Sequence, residues 1–492
     1  MKLLLDLNDV NDYATFLRVK SLPRYSFAGR VAVVPDEYAA LLGVSPPAAR
    51  DAAYEPLPAL FDYQAAVAAL AIRKRKFAAY VDCGLGKALI ALEFARHAAA
   101  VNPGRGVLIV CPLMVVGQTV REAARFYGDD LPVRRLPAAE LPAWLAEGVG
   151  VAVTNFEAIR DGLEPGNLAA LIIDEASVMK SHYGKWGTRL IALGRGLAWK
   201  LCLTGTPAPN DRIEYATHAV FLDREPNVNA FLARYFVNRG ETANRWELKA
   251  HALRPFYRSL SDWCIFLSDP ATYGWKDNAG GPPPINVTVH EIDLTAAQRD
   301  ISQAHTGQLF VNGVGGIGAR SKLAQLAKGR HAGADVATNK PAFIRSLVGS
   351  FAPRSTIVWC LYNAEQDGVA ALFPGCANVD GSTPDGDREP LVEDFKAGRR
   401  KVLVSKPKVL GFGLNLQVCT RMVFSGLQDS FESYYQAVKR ANRYGSTEPL
   451  EVHIPVTEIE APMIETVMRK AHRVAQDTKE QEAIFREVNA TL

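Results

Sequence analysis

Short apolar runs that alternate with helix-like stretches constrain the fold of this chain more than any other feature of its sequence. Seven such runs are clear, at 106–110, 151–153, 171–173, 201–203, 356–360, 401–404 and 421–424. Segments with helical periodicity stand between several of them, at 87–98, 118–126, 386–396 and 431–443. Uninterrupted apolar strands are typical of parallel sheets buried on both faces, and the intervening helices cover those faces. The sequence therefore predicts an α/β fold.

The strand rhythm breaks once, and this break divides the chain. With 492 residues, at roughly 150 residues per domain, we expect two or three domains. The rhythm is lost around 225–285, where the Gly/Pro-rich stretch 278–284 is the clearest linker. We therefore predict a small N-terminal accessory unit (1–55), a first lobe (56–224), a helical and linker segment (225–285), a second lobe (286–456) and a C-terminal helical tail (457–492).

Charge and cysteine usage narrow the class of protein. Lys and Arg number 56 against 52 Asp and Glu, a net charge of +4, so a nucleic-acid partner would have to meet local rather than global positive charge. The seven cysteines are scattered and form no CxxC pair, which favours a reducing cytoplasm over a disulfide framework. Asp6 interrupts the first leucines and no run reaches 18 apolar residues, so we expect no signal peptide and no membrane partner.

A glycine-rich turn opens the first helix of the first lobe. Gly84, Gly86 and Lys87 follow a short apolar run and precede the helical stretch 89–96. Such a turn offers backbone N–H groups and the positive helix end to an anion, and the lysine adds a charge for outer phosphates. The standard pattern GxxxxGK[ST] is incomplete, because Val81 and Ala88 stand at its first glycine and its hydroxyl position. Taken alone, an ordinary tight turn is an equal alternative.

Two adjacent carboxylates favour the nucleotide interpretation. Asp174 and Glu175 end the apolar strand at 171–173, where carboxylates can hold Mg²⁺ and orient a water against a γ-phosphate. The alternative is an acidic helix cap. The motifs follow in the order phosphate loop, Asp-Glu pair and Thr204-Gly205-Thr206-Pro207. This order makes the helix-cap alternative improbable.

These motifs, over about residues 60–455, resemble helicase superfamily two, and specifically its Swi/Snf-type branch of double-stranded DNA translocases in the compact form found in bacteriophages. The resemblance rests on the segments Phe61–Gln64, Gly84–Lys87, Asp174–Ser177, Leu203–Asn210, Gly411–Leu416 and Tyr435–Gly445. It implies two RecA-like, doubly wound parallel-sheet lobes in tandem, with ATP and Mg²⁺ as cofactors.

The resemblance also implies roles for individual residues. The cofactor-binding residues would be Gln64, Gly84, Leu85, Gly86, Lys87, Ala88 and Gly413, with Asp174 as the metal ligand. The catalytic residues would be Glu175, Arg440 and Arg443, and the coupling residues Thr204, Thr206 and Gln436. The nucleic-acid contacts would be Pro112, Thr154, Asn155, Ser405 and Lys406. The two arginines are three positions apart, so on one helix they would share a face and act as arginine fingers.

Two positions depart from the family pattern. Ala88 lacks the hydroxyl that binds Mg²⁺, and Ser177 stands where the family often has His, which we expect to weaken the link to Thr204. The sequence thus supports an ATP-dependent DNA translocase or helicase, with a weakly hydrolysing structural or regulatory relative as the alternative. A narrower third hypothesis is a motor subunit that works with a separate protein partner. Double-stranded or branched DNA is the expected partner, RNA stays open, and a phage-encoded protein would act in the host bacterial cytoplasm.

Overall fold

The chain divides into two compact units in the structure, a computed structural model. It describes residues 1–489 apart from Leu7, 45–52, 182–183, 241–245, 313–316, 411–414 and 428–429. Unit 1 comprises Met1–Gly280 and Val474–Leu492, and unit 2 comprises Gly281–Arg473. The boundary falls inside the Gly/Pro-rich stretch 278–284.

Unit 1 contains twelve strands and nine α-helices among its described residues before Gly280. The strands are β1 (Lys2–Leu4), β2 (Ser26–Ala28), β3 (Val31–Val33), β4 (Lys76–Val81), β5 (Gly106–Cys111), β6 (Val133–Arg135), β7 (Gly150–Asn155), β8 (Leu168–Asp174), β9 (Trp199–Leu203), β10 (Phe236–Asn238), β11 (Trp246–Leu248) and β12 (Cys264–Leu267). The helices are α1 (Val10–Ser21), α2 (Asp62–Lys74), α3 (Lys87–Ala100), α4 (Leu113–Tyr127), α5 (Leu141–Glu147), α6 (Lys185–Leu193), α7 (Tyr215–Phe221), α8 (Val228–Tyr235) and α9 (Leu253–Leu260).

A seven-stranded sheet in the order β12-β4-β9-β8-β5-β7-β6 forms the centre of unit 1. All its pairings are parallel. Every residue of β5 and β9 is buried, as the apolar runs at 106–110 and 201–203 predict. Because the carboxyl ends of parallel strands share one edge, the loops after β4, β5, β7, β8 and β9 lie along the same edge.

The sheet includes a strand from 225–285, the segment predicted to be helical and linker. Strand β12 pairs with β4 in register Cys264↔Ala78 to Leu267↔Val81, so residues 264–267 form an edge of the sheet. Most of 225–285 therefore belongs to unit 1. A four-residue run has no flanking strand rhythm in the sequence, and only its pairing with β4 identifies it.

The described residues of 1–44 form a small sheet of their own. Its strands pair antiparallel in the order β1-β3-β2, and α1 packs on it. Leu5, Val19, Ala32 and Tyr38 are the centre of its core. The Tyr38 hydroxyl donates to Asp262 at 2.7 Å, which ties this small sheet to the rest of unit 1.

Unit 2 is built on a second parallel sheet, in the order β13-β20-β19-β16-β18-β17. The strands of unit 2 are β13 (Ile285–Glu291), β14 (Arg330–His331), β15 (Ala334–Asp335), β16 (Thr356–Trp359), β17 (Ala377–Val379), β18 (Val402–Ser405), β19 (Arg421–Phe424) and β20 (Leu450–Val456). Its helices are α10 (Ala296–Asn312), α11 (Ile317–Ala327), α12 (Lys340–Ser350), α13 (Asn363–Ala371), α14 (Asp385–Lys396), α15 (Pro407–Leu410) and α16 (Phe431–Ala441). The predicted pair of parallel-sheet α/β lobes is confirmed.

The last helix, α17 (Ala461–Asn489), begins in unit 2, and its residues from Val474 onward belong to unit 1. Arg212 pairs with Asp477 at 2.6 Å, and the Ser268 hydroxyl donates to Glu482 at 2.7 Å. The end of the helix is therefore fixed to unit 1 by polar contacts. None of the helices in the described part of the chain has the length and apolar character needed to cross a membrane.

Candidate nucleotide site

The phosphate loop lies between the end of β4 and the first residue of α3. Gly84 and Gly86 have φ of 89° and 75°, in the left-handed region that favours glycine. Gly86 is the N-cap of the 14-residue helix α3, whose first N–H groups have no partner within the helix. The Lys87 ammonium donates to the carbonyls of Val81 at 2.9 Å and Asp82 at 3.3 Å, at the end of β4. The loop therefore combines a helix N-terminus with a cation.

Gln64 connects helix α2 to this loop. Its side chain is 3% exposed, its Oε1 accepts from the Phe61 N–H at 3.1 Å, and its Nε2 donates to the Leu85 carbonyl at 3.2 Å. A Cβ on Gly86 would lie 2.2 Å from Gln64 Nε2. Gly86 is therefore needed for two reasons, its backbone conformation and the close approach of Gln64.

The carboxylate pair follows β8 at the same edge of the sheet. Burial, and then the charge of Glu175, raise the pKa of Asp174 to about 6, while Lys87 acts in the opposite direction. Glu175 has φ of 65°, which is unusual for a residue with a side chain. The pair thus combines a destabilised negative charge with a strained turn, and both features are common at functional sites.

Polar side chains from two other segments hold the Glu175 carboxylate. Its Oε1 accepts from the Ser177 hydroxyl at 2.9 Å and from the Thr204 hydroxyl at 2.6 Å. The Thr206 N–H donates to the Thr204 oxygen at 3.1 Å. Ser177 and Thr204 are therefore linked through one oxygen of Glu175. The expectation that Ser177 gives a weaker link than His stays a prediction.

The donor groups fit a magnesium ion that is held mainly by its nucleotide. Ala88, the second residue of α3, contributes no oxygen. Among the described residues no group of three or more His, Cys, Asp or Glu side chains could hold a metal. The raised pKa of Asp174 marks a carboxylate whose charge lacks compensation, and a divalent cation would supply it. Mg²⁺ commonly retains several waters and uses one or two carboxylates beside phosphate oxygens, so Asp174 suffices as its protein ligand.

The predicted nucleic-acid contacts differ in how accessible they are. Pro112 and Asn155 are half-buried and follow the paired strands β5 and β7 at the sheet edge described above. Thr154 is 1% exposed and its hydroxyl donates to the Leu136 carbonyl. In unit 2, Ser405 is 0% exposed and donates to the Val379 carbonyl, whereas the Lys406 ammonium is bonded to Asn363. The hydroxyls of Thr154 and Ser405 therefore point into the protein.

Helix α16 carries only part of the predicted arginine motif. Gln436 and Arg440 lie on it and are 4% and 7% exposed. The helix ends at Ala441, and Asn442 is extended, with its side-chain amide donating to the Pro283 carbonyl at 2.7 Å. Arg443 therefore lies in the turn after the helix, and the prediction that both arginines share a helix face is wrong. Gly413 lies outside the described residues.

His218 and Tyr80 were not among the residues predicted from the sequence. His218 lies in α7, in the apolar sequence Tyr-Ala-Thr-His-Ala-Val-Phe, and contacts both Tyr80 of β4 and the backbone of Ala176. A lone imidazole in an otherwise apolar helix was the available signal, since buried polar groups require partners.

Comparison with known proteins agrees with this arrangement. The model of the SNF2-related domain matches residues 81–250, and that of the helicase conserved C-terminal domain matches residues 339–445. Among solved structures, the chain is similar to the Sulfolobus solfataricus SWI2/SNF2 ATPase core in complex with dsDNA, at 18% identity over 89% of this chain and 98% of that chain, with a TM-score of 0.41. No curated protein matches the chain. The two domain matches fall in unit 1 and unit 2 in the order expected. The chain therefore belongs to the Snf2-type branch of helicase superfamily two, and it is an ATPase/helicase enzyme of that class.

Proposed function

We propose that the chain is an ATP-driven motor that moves along double-stranded DNA. The observation that carries this proposal is a group of polar side chains in unit 1. The Lys87 ammonium lies at the end of β4, and the Thr204 hydroxyl donates to the Glu175 carboxylate. A phosphate loop, a carboxylate pair and a coupling threonine at one sheet edge are the parts that phosphoryl transfer to water requires.

In the proposed reaction each residue has one task. Lys87 and the N-terminal N–H groups of α3 bind the β- and γ-phosphates, and Gln64 reads the adenine. Mg²⁺, held by Asp174, would offset phosphate charge when bound. Glu175 orients the attacking water and accepts its proton, since its carboxylate is fixed by Ser177 and Thr204.

Two arginines of unit 2 also have roles in this proposal. Arg440 and Arg443 act as arginine fingers on the transferred phosphoryl group, an effect that contributes about 10³ to 10⁵ in rate in other phosphoryl-transfer enzymes. Because Arg443 lies in a turn and Arg440 on a helix, the two arginines can respond differently to ATP. Alternation between an ATP state and a product state then changes the grip on a nucleic-acid backbone.

For the DNA grip, accessibility favours Pro112, Asn155 and Lys406 over Thr154 and Ser405. Pro112 and Asn155 are half-buried at the ends of the paired strands β5 and β7, and Lys406 supplies a cation. Contacts of this kind bind phosphates without reading bases, so affinity should be independent of sequence and should fall with salt.

One observation favours a second candidate function, a nucleotide-dependent DNA-binding protein that hydrolyses ATP weakly. Ala88 removes a metal ligand that members of the family usually have. If this loss is decisive, the protein binds ATP and DNA without turning over.

Displacement of a triplex-forming oligonucleotide from duplex DNA tests the proposed motor. We expect wild type to displace the third strand only with ATP and Mg²⁺, and Lys87→Ala and Glu175→Gln to fail. Lys20→Ala, an exposed lysine of α1, is the matched control and should act as wild type. Displacement equal in Glu175→Gln and wild type would refute the proposal. ATP and DNA binding without displacement or phosphate release would establish the weakly hydrolysing alternative.

A further inference from the structure

A buried chain of hydrogen bonds joins the phosphate-loop strand to the carboxylate turn through a histidine. The Tyr80 hydroxyl lies 2.7 Å from His218 Nδ1, and His218 Nε2 lies 2.9 Å from the carbonyl oxygen of Ala176. Tyr80 is the penultimate residue of β4, His218 lies in the middle of α7, and Ala176 directly follows Glu175. Exposure is 3% for Tyr80 and 0% for His218 and Ala176, so water does not compete for these bonds.

The partners determine the direction of both bonds. A carbonyl oxygen can only accept, so His218 Nε2 carries the proton and donates to Ala176. His218 Nδ1 is then the acceptor, and the Tyr80 hydroxyl donates to it. Burial lowers the pKa of His218 to about 4, so the ring is neutral over the range in which an ATPase is assayed. The imidazole therefore acts as a fixed bridge with one donor and one acceptor.

The carboxylate turn needs such a support because its backbone is strained. Glu175 has φ of 65°, a left-handed conformation that is unfavourable for a residue with a Cβ. Strained residues persist where neighbouring groups over-determine their geometry. Ser177 and Thr204 hold the side chain of Glu175, and His218 holds the carbonyl of the next residue along the backbone.

We propose that His218 is a positioning residue for ATP hydrolysis, which fixes the left-handed Glu175 turn through the Ala176 carbonyl and links that turn to β4 through Tyr80. This inference rests on the proposed role of Glu175 in orienting the attacking water. His218 itself is fully buried, and both of its ring nitrogens are bonded to protein groups. It acts on the orientation of the Glu175 carboxylate relative to the phosphate loop.

The test compares two replacements of His218 with opposite hydrogen-bonding ability. His218→Phe keeps a ring against Tyr80 but removes both bonds, whereas the amide of His218→Gln can still donate to the Ala176 carbonyl. A displacement of about 1 Å in a catalytic group can cost about 10²-fold in rate. We therefore expect His218→Phe to lower kcat for ATP hydrolysis by about 10²-fold with KM for ATP nearly unchanged, and His218→Gln to recover most of the rate.

Two further variants separate positioning from general stability. Tyr80→Phe leaves the Ala176 bond in place, so its loss of kcat should be smaller than that of His218→Phe. Leu145→Ala opens a cavity in α5, elsewhere in the same core, and should lower the melting temperature with kcat retained below the transition. If Leu145→Ala and His218→Phe lose kcat in proportion to their loss of stability, the positioning role is refuted.

Amide hydrogen exchange supplies a readout that does not require turnover. In His218→Phe the amides of 174–179 should exchange faster than in wild type, and those of 62–74 should not change. Should His218→Phe fail to fold, Tyr80→Phe and His218→Gln carry the same comparison of kcat and exchange. An active wild type that depends on Glu175 but whose kcat is unaffected by His218→Phe overturns only this inference. A wild type that hydrolyses no ATP overturns the proposed function, and the positioning role with it.

Discussion

Gly86→Ala offers a direct test of how Gln64 and the phosphate loop depend on each other. The added Cβ would lie 2.2 Å from Gln64 Nε2 and 3.2 Å from its Cδ, so the amide at the end of this side chain must move. It would then lose its bond to the Leu85 carbonyl. Gly104→Ala is a matched control, because Gly104 has nearly the same φ, 77° against 75°, and an added Cβ there meets nothing within 4 Å.

The two variants separate backbone strain from displacement of Gln64. Each should lose about 1–2 kcal/mol of stability because alanine is forced into a left-handed conformation. Only Gly86→Ala should also lose the Gln64 contacts, at about 0.5–1.5 kcal/mol for each net hydrogen bond. If Gln64 reads adenine, this adds about 1–3 kcal/mol to the cost of binding ATP, which is about 5- to 150-fold in Kd.

Calorimetric titration with ATP and with GTP measures this difference. We expect Gly104→Ala to bind ATP as wild type does. Gly86→Ala should bind ATP more weakly and should lose its preference over GTP, because the group that distinguishes the bases has been displaced. Equal ATP affinity and equal ATP preference in both variants, whatever their melting temperatures, would show that Gln64 does not select the base.

Three further predictions follow from the structure. Ala88→Ser restores a hydroxyl beside the phosphates and should lower the Mg²⁺ concentration for half-maximal ATPase activity; an unchanged Mg²⁺ dependence would show that the position is not a metal ligand. Thr204→Val should lower kcat with ATP affinity retained, as separate kcat and binding measurements will show, because it frees the Glu175 carboxylate, the proposed base. Burial alone would raise the pKa of Glu460, but its pairs with Lys328 and Lys340 outweigh this and lower it to about 2. Urea titrations should therefore show a contribution to stability that is complete above about pH 4.5 and fades toward pH 2, with Glu460→Gln less stable by about 3–5 kcal/mol at pH 7 and flatter over that range; parallel pH profiles would contradict it.

The sheets could be predicted from the sequence because buried parallel strands are contiguous apolar runs. Strands β5, β8, β9 and β16 lie where such runs occur. Strand β12 could not be predicted in the same way, because it is a single short run placed by its pairing with β4. Local sequence thus predicts which strands are buried, but it does not predict which strand an isolated short run pairs with.

The candidate site was predictable as a set of positions but not as a set of contacts. The spacing of motifs identified Lys87, Glu175 and Thr204, and the structure brings Glu175 and Thr204 together. The inward rotamer of Thr154 is a property of packing that no motif encodes. Helix α16 ends at Ala441, where Asn442 is extended and donates to the distant Pro283 carbonyl, so Arg443 lies beyond the helix. The compact, phage-type form and the assigned roles stay predictions.

ATP hydrolysis measured with and without duplex DNA tests whether the Glu175 turn is the catalytic centre of a DNA-dependent ATPase. Phosphate release at saturating Mg²⁺ should rise with DNA in wild type. It should be lost in Glu175→Gln while ATP binding is retained, because this substitution removes the proposed base and leaves the phosphate loop intact. A Glu175→Gln protein that hydrolyses ATP at the wild-type, DNA-stimulated rate would contradict the assignment of this carboxylate turn as the catalytic centre.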